Sequence, residues 1–295
     1  MEDILRPIYQ EWASQVNTLG VLLIKKNDQF ASLSDTSDAI LLIVVKEAEY
    51  PVTVKHYTYQ EKNAALHTIT KLQLNEWLRS GTNRKLIQWL VKGKVLFDRN
   101  EFMSDLKNTL MEYPANDRKF KMGIEFSKLI CCYMDGKIYF EDQQYLDAYS
   151  HIVRSLHHLG RLSLIDKGLH PEMTVWSQVK HIEPEVYQLY NELVNSEEEL
   201  GKRLELLFLA SDFLIHSRVE EGTSYLFDVL KRKDMWTIDE VLKHPSLKLY
   251  EAYFETLFEY LIEKHYIEVV HIETQEQGIY QRHYKLAEKL LQKNN

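Results

Sequence analysis

Seven apolar residues in a row, Ala39 to Val45, follow directly on Ser34-Asp35-Thr36-Ser37-Asp38. The run is short and rich in branched side chains, so it reads as a buried strand. A strand that opens on an acid limits chemistry as well as fold. Alternate side chains share a face, so an acid two places after Asp38 would stand beside it. Such a pair could hold divalent metal ions. Ile40 occupies that place. On that face the strand carries a single carboxylate, Asp38.

A length of 295 residues is enough for two or three domains and a sizeable core. Apolar content of 45% and charged content of 27% are those of an ordinary globular protein in water. With 10 Gly and 6 Pro, many helices and few loops are expected. The net charge of −8 supplies no electrostatic footprint for nucleic acid. The two cysteines, Cys131 and Cys132, are adjacent, which suits neither disulfide geometry nor a CxxC zinc site. A reducing cytoplasm is the expected location. The opening Met1-Glu2-Asp3-Ile4-Leu5-Arg6 has acids and no apolar run, unlike a signal peptide. The longest apolar run is too short to span a bilayer, so no membrane partner is expected.

Along the chain, Ile4, Leu5, Ile8, Tyr9 and Trp12 have helical spacing. Strands are predicted at 19–24, 40–45, 52–59, 64–69 and 93–98, with short helices at 72–79 and 83–91. This alternation ends near residue 100. Helical blocks then follow at 118–135, 141–165, 184–195 and 196–216. Pro184 sits at a helix start beside Glu183 and Glu185, which suit the positive end of the helix dipole. Gly222 is read as opening a third unit, with helices at 224–233, 238–243 and 249–265 and a hairpin formed by 266–273 and 278–286. Three helices and a hairpin make the winged-helix layout. The predicted class is α+β multidomain: a mixed sheet with helices over 1–116, a helical bundle over 117–220, and a winged helix-turn-helix over 221–295.

Three segments carry a resemblance. They are residues 1–10, Thr36-Ser37-Asp38 with its strand, and the stretch from Leu86 to Asp98 with its Gly93, apolar residues and closing Asp. On these the chain resembles the nucleotidyltransferase superfamily, and more closely the YgxA-like family of bacterial nucleotidyltransferase-like proteins, over its full length. That resemblance implies a nucleotidyltransferase domain, a helical substrate-binding-like domain facing its cleft, and a C-terminal winged helix. It places Gly20 at the turn glycine, with Val21 where a phosphate-contacting serine is usual. It places Asp38 at the first catalytic, metal-binding acid. His67, or Thr68 beside it, falls in the region of the third acid. Mg²⁺ would be the cation of such a site, but one carboxylate and an imidazole match a hard cation poorly.

Asp38 is open to two readings, metal ligand or cap of the turn into its strand. Ser37 and Asp35 adjoin it, and Asp35 could replace the missing acid from the loop. His67 could act near neutral pH or simply pack. Downstream, His151, Arg154, His158 and Arg161 fall at i, i+3, i+7 and i+10, one helical face. A basic stripe can meet a phosphate. It can equally be answered by Glu and Asp across the bundle. In the third unit Glu251, Glu255, Glu259 and Glu263 recur every four residues. Residues 222–295 hold 10 Lys and Arg against 12 Asp and Glu, a net of −2. An acidic face repels phosphate, so nucleic acid is not the expected partner of the third helix, despite Arg282, His283 and Lys285 in the wing.

The expectation is a nucleotidyltransferase-like protein with a degenerate active site. It would bind a nucleotide or another phosphorylated small molecule between the first two domains, through Gly20, Asp35, Ser37, His67, His151, Arg154, His158 and Arg161. Two alternatives stay open: an active metal-dependent nucleotidyltransferase acting through Asp38, and a transcriptional regulator acting through the winged helix. A protein partner or a second copy of the chain is compatible with each.

Overall fold

The computed structural model describes residues 2–25, 37–275 and 278–291, without the side chains of residues 3, 84, 289 and 291. The chain divides into two compact units, Met1–Pro114 and Ala115–Asn295.

The first unit is a five-stranded mixed sheet. Its strands are β1 (Thr18–Lys25), β2 (Ala39–Val45), β3 (Val52–Tyr59), β4 (Lys62–Thr70) and β5 (Lys94–Asp98). The order is β3-β4-β2-β1-β5, with β2 and β4 parallel and the other neighbours antiparallel. Strand β2 is buried from end to end because both faces of the sheet are covered. On one face Leu41, Ile43 and Val45 pack with Leu5, Ile8 and Trp12 of α1 (Glu2–Ser14). On the other, Ile40, Leu42 and Val44 pack with Leu74, Leu86, Leu90, Met103 and Leu110. Those partners lie on α2 (Lys71–Ser80), α3 (Arg84–Lys92) and α4 (Phe102–Glu112). Thr70 caps the start of α2, and Gly81 ends it in the left-handed conformation at φ 66°, where a side chain would be strained. Asp98 closes the sheet and caps α4: its carboxylate accepts from the N–H groups of Met103 (2.8 Å) and Ser104 (3.0 Å).

The second unit is built on α5 (Ala115–Glu141), a 27-residue helix. Its buried residues include Phe120, Met122, Ile124, Phe126, Leu129, Ile130 and Tyr133, so several faces are apolar, as befits a central helix. Its most extensive partner is α6 (Tyr145–Asp166). The predicted helix over 141–165 starts later than expected, because the chain turns at Gln143, which has φ 60°. Helices α7 (Val175–Ile182), α8 (Pro184–Asn195) and α9 (Leu200–His216) complete the bundle.

Helix α10 (Val219–Leu230) runs without a break through Gly222. A Cβ there would stand 2.5 Å from Cδ2 of Phe126, so the missing side chain lets α10 cross close over α5. The glycine read as opening a new unit is a close-approach residue inside a helix. After α11 (Ile238–Leu242), the predicted third helix divides into a 3₁₀ segment, Pro245–Tyr253, and α12 (Phe254–Glu263). Both pack on α5. The Tyr250 hydroxyl, within the 3₁₀ segment, donates to the Phe120 carbonyl at 3.2 Å. The wing pairs β6 (Ile267–Glu273) with β7 (Tyr280–Leu286), and Trp236 exchanges two backbone hydrogen bonds of 2.8 Å with Tyr284. A short α13 (Glu288–Leu291) follows.

Candidate functional site

Asp38 stands immediately before β2, at the head of a central strand. Its backbone N–H donates to the Asn63 carbonyl at 2.8 Å, and its carboxylate accepts from the Asn63 N–H at 2.9 Å. The acid therefore fastens the start of β2 to the start of β4, the work of a capping residue. Ser37 beside it is buried, and Asp35 lies outside the described residues. Ile40 is 3% exposed and belongs to the core under α2, α3 and α4.

His67 lies opposite Leu42 on β4, four strand positions beyond the level of Asp38, a separation of ~13 Å. Its ring packs 5.0 Å from that of Trp89. Thr68, on the alternate face, is buried. Gly20 lies inside β1 rather than in a turn, and a Cβ there would sit 2.1 Å from Cγ of Met103. It is a packing glycine under α4. Asp38, His67 and Gly20 are thus not gathered around one point. Among the described residues no three of His, Cys, Asp and Glu cluster as metal ligands. A single carboxylate bound to a backbone N–H, next to a buried isoleucine, does not fit a pair of Mg²⁺ ions, which ask for several oxygen ligands.

The four residues of the α6 stripe have different surroundings. Arg161 is 5% exposed and grips Glu125 of α5 with two bonds, Nε to Oε2 at 2.9 Å and Nη2 to Oε1 at 2.8 Å. His158 Nδ1 lies 2.8 Å from the same Oε2, and Lys128 Nζ lies 3.8 Å from Oε1. Burial pushes the Glu125 carboxyl up. The His158 hydrogen bond, the Arg161 charge with its own hydrogen bonds, and Lys128 together outweigh burial and hold it well below the usual carboxylate range. His151 Nδ1 is 3.7 Å from Asp135, and Arg154 is exposed.

Sequence reasoning missed Glu125, which gathers Arg161 and His158, and the cations Lys121 and Lys128 beside it. A signal was present: Lys121, Glu125 and Lys128 fall at i, i+4 and i+7, the only charged residues from Phe120 to Met134. The neighbouring cysteines are half-buried, and burial above all lifts the Cys132 thiol to about 11, far from a nucleophile's range.

A helix-covered mixed sheet with an acid heading its central strand, continued by a helical bundle and a winged hairpin, is a nucleotidyltransferase-like protein with two appended parts. Family models agree segment by segment. A nucleotidyltransferase-like model matches residues 1–118, a YgxA-like substrate binding domain matches 119–218, and a helix-turn-helix domain matches 224–286. The chain is 51% identical over 284 residues to the uncharacterized protein YgxA of Bacillus subtilis (strain 168), covering 96% of this chain and 97% of that one. The crystal structure of a nucleotidyltransferase-like protein from Exiguobacterium sibiricum 255-15 superposes with a TM-score of 0.83 at 34% identity, covering 97% of this chain and 99% of the other. The chain belongs to the YgxA-like family of nucleotidyltransferase-like proteins.

Proposed function

We propose that this protein is a ligand-binding member of its family, in which the nucleotidyltransferase-like sheet is kept while metal-dependent transfer is lost. The ligand is a nucleotide or another phosphorylated small molecule, met by the α6 face of His151, Arg154, His158 and Arg161. The observation that carries this reading is the gathering of Arg161, His158 and Lys128 around the single buried carboxylate of Glu125, within a segment similar to a substrate binding domain. The spent Asp38 carboxylate and the buried Ile40 support the loss of transfer. The winged part supports no nucleic-acid reading, since Glu251, Glu255, Glu259 and Glu263 are all exposed and Lys285 is paired with Glu268 at 2.9 Å.

A thermal-shift screen of nucleotides, with and without Mg²⁺, tests this, because ligand binding to the native state raises Tm. Stabilisation by a nucleotide that does not require Mg²⁺, and that is lost in Arg154→Ala, is the expected result. Mg²⁺-dependent turnover of labelled nucleoside triphosphates that vanishes in Asp38→Asn would overturn it in favour of an active transferase.

A further inference from the structure

We propose that the outward face of α9, with the cavity beside Phe213, docks a basic amphipathic helix presented by a partner protein. This goes beyond the ligand-binding reading above and does not depend on it.

Helix α9 is apolar on two opposite sides. Leu204, Leu207, Phe208 and Ile215 are buried in the bundle. Leu206, Leu209 and Phe213 fall at i, i+3 and i+7 on the other side, and they are 54%, 73% and 74% exposed. An apolar residue standing alone on a surface needs no explanation, but a helix that is apolar all round is normally covered. Three large side chains in one line offer anchors to a second helix whose own apolar residues recur at the same spacing.

Phe213 also lines a cavity of about 420 Å³, within the size range of binding pockets. The apolar Met122, Leu162 and Leu214 share its wall with four carboxylates and two cations. Lys167 is paired with Asp166 at 3.3 Å and Arg218 with Glu183 at 3.2 Å. Glu185 and Glu221 have no ion pair among the described residues and are exposed. They lie in the first turns of α8 and α10, where the helix dipole favours them, and they leave the rim of the cavity acidic.

The charge around the stripe has the same sign. Residues 197–221 hold seven Asp and Glu against three Lys and Arg, a net of −4, half the net charge of −8 of the whole chain. The three cations are already engaged. Lys202 pairs with Glu198 at 3.1 Å, Arg203 donates to the carbonyls of Leu193 and Glu198, and Arg218 is held by Glu183. An apolar stripe inside an acidic field selects its occupant. An anionic membrane surface is repelled. A second copy of the chain, paired about a two-fold axis, would set the acidic patch against itself. A helix that flanks its apolar stripe with Lys and Arg is attracted, and one long cationic side chain can lay its stem along the apolar wall of the cavity with its head at Glu185 and Glu221.

The test is fluorescence anisotropy of the full chain with a labelled 18-residue helical peptide of Leu and Lys, its leucines at i, i+3, i+4 and i+7. The same peptide with Glu in place of Lys is the comparison. The Lys peptide should bind at least tenfold more tightly than the Glu peptide, and its affinity should fall as salt rises. Leu209→Gln with Phe213→Gln should lower that affinity about tenfold or more without lowering Tm, because both side chains are exposed. Glu185→Gln with Glu221→Gln should lower it and flatten its salt dependence. Leu72→Gln, at an equally exposed leucine of α2, should leave it unchanged. Absence of binding, equal affinity for the two peptides, or equal affinity in the Leu209/Phe213 double variant and the unaltered chain overturns the docking face. A dimer in sedimentation equilibrium that Phe213→Gln dissociates would give the face to a second copy and overturn it as well.

Discussion

Two carboxylates show how environment separates residues of like chemistry. Asp38 is at the edge of a strand, tied to one backbone N–H, and its effect is that of a clamp. Replacing it with Ala should cost about 1 kcal/mol, the net worth of one hydrogen bond, with a correspondingly small fall in urea midpoint. Glu125 is buried among cations, and losing it leaves Arg161 uncompensated. Glu125→Gln should cost ~3–5 kcal/mol at neutral pH, the range for breaking one side of a buried ion pair. Its pH dependence has a definite sign. The folded-state pKa of Glu125 is depressed, so its contribution is complete above its ordinary value near 4.5 and is lost as pH falls below that. Denaturation of the unaltered chain should therefore show a steep acid limb, and Glu125→Gln should show a shallower one. Parallel limbs would mean that Glu125 is not charged in the folded protein.

Helices and strands carry a second layer of constraint. Gly222 and Gly123 are small because rings lie against them: Phe126 meets the first, and the Tyr250 hydroxyl would stand 2.0 Å from a Cβ on the second. Helix propensity alone would favour Ala over Gly by up to ~1 kcal/mol. The steric term wins at Gly222, because Phe126 is fully buried and cannot retreat. Gly222→Val should destabilise the second unit by roughly 1–3 kcal/mol, the usual cost of overpacking. A rise in Tm would show that α10 and α5 are not tightly packed at this crossing. The 3₁₀ segment before α12 has a related cause, since Leu247 and Tyr250 point into the bundle and its tighter turn brings both inward.

At the scale of the whole molecule, the winged part shares its packing with the bundle, because α10, the 3₁₀ segment and α12 all lie against α5. A chain cut after residue 218 would expose Phe126 and its neighbours. It should lose near-UV circular dichroism and bind a hydrophobic dye, while a chain of residues 115–295 should fold cooperatively. A well-packed 1–218 fragment would contradict this. Much of the architecture was legible in the chain. The apolar run Ala39–Val45, the alternating stretches on either side, and the order of sheet, bundle and wing all follow from periodicity and turn residues, which act over a few positions. That position 40 adds an apolar side chain to the core was legible too, since alternation on a strand is a local rule. The role of Asp38 depended on Asn63 arriving beside it, that of Gly20 on Met103, and that of Gly222 on Phe126. The partner of Arg161 lay 36 residues away on another helix. Spacing along one helix reveals which cations share a face, but only the packing of α5 on α6 settles which anion answers them, because ion pairing depends on distance in space and on burial.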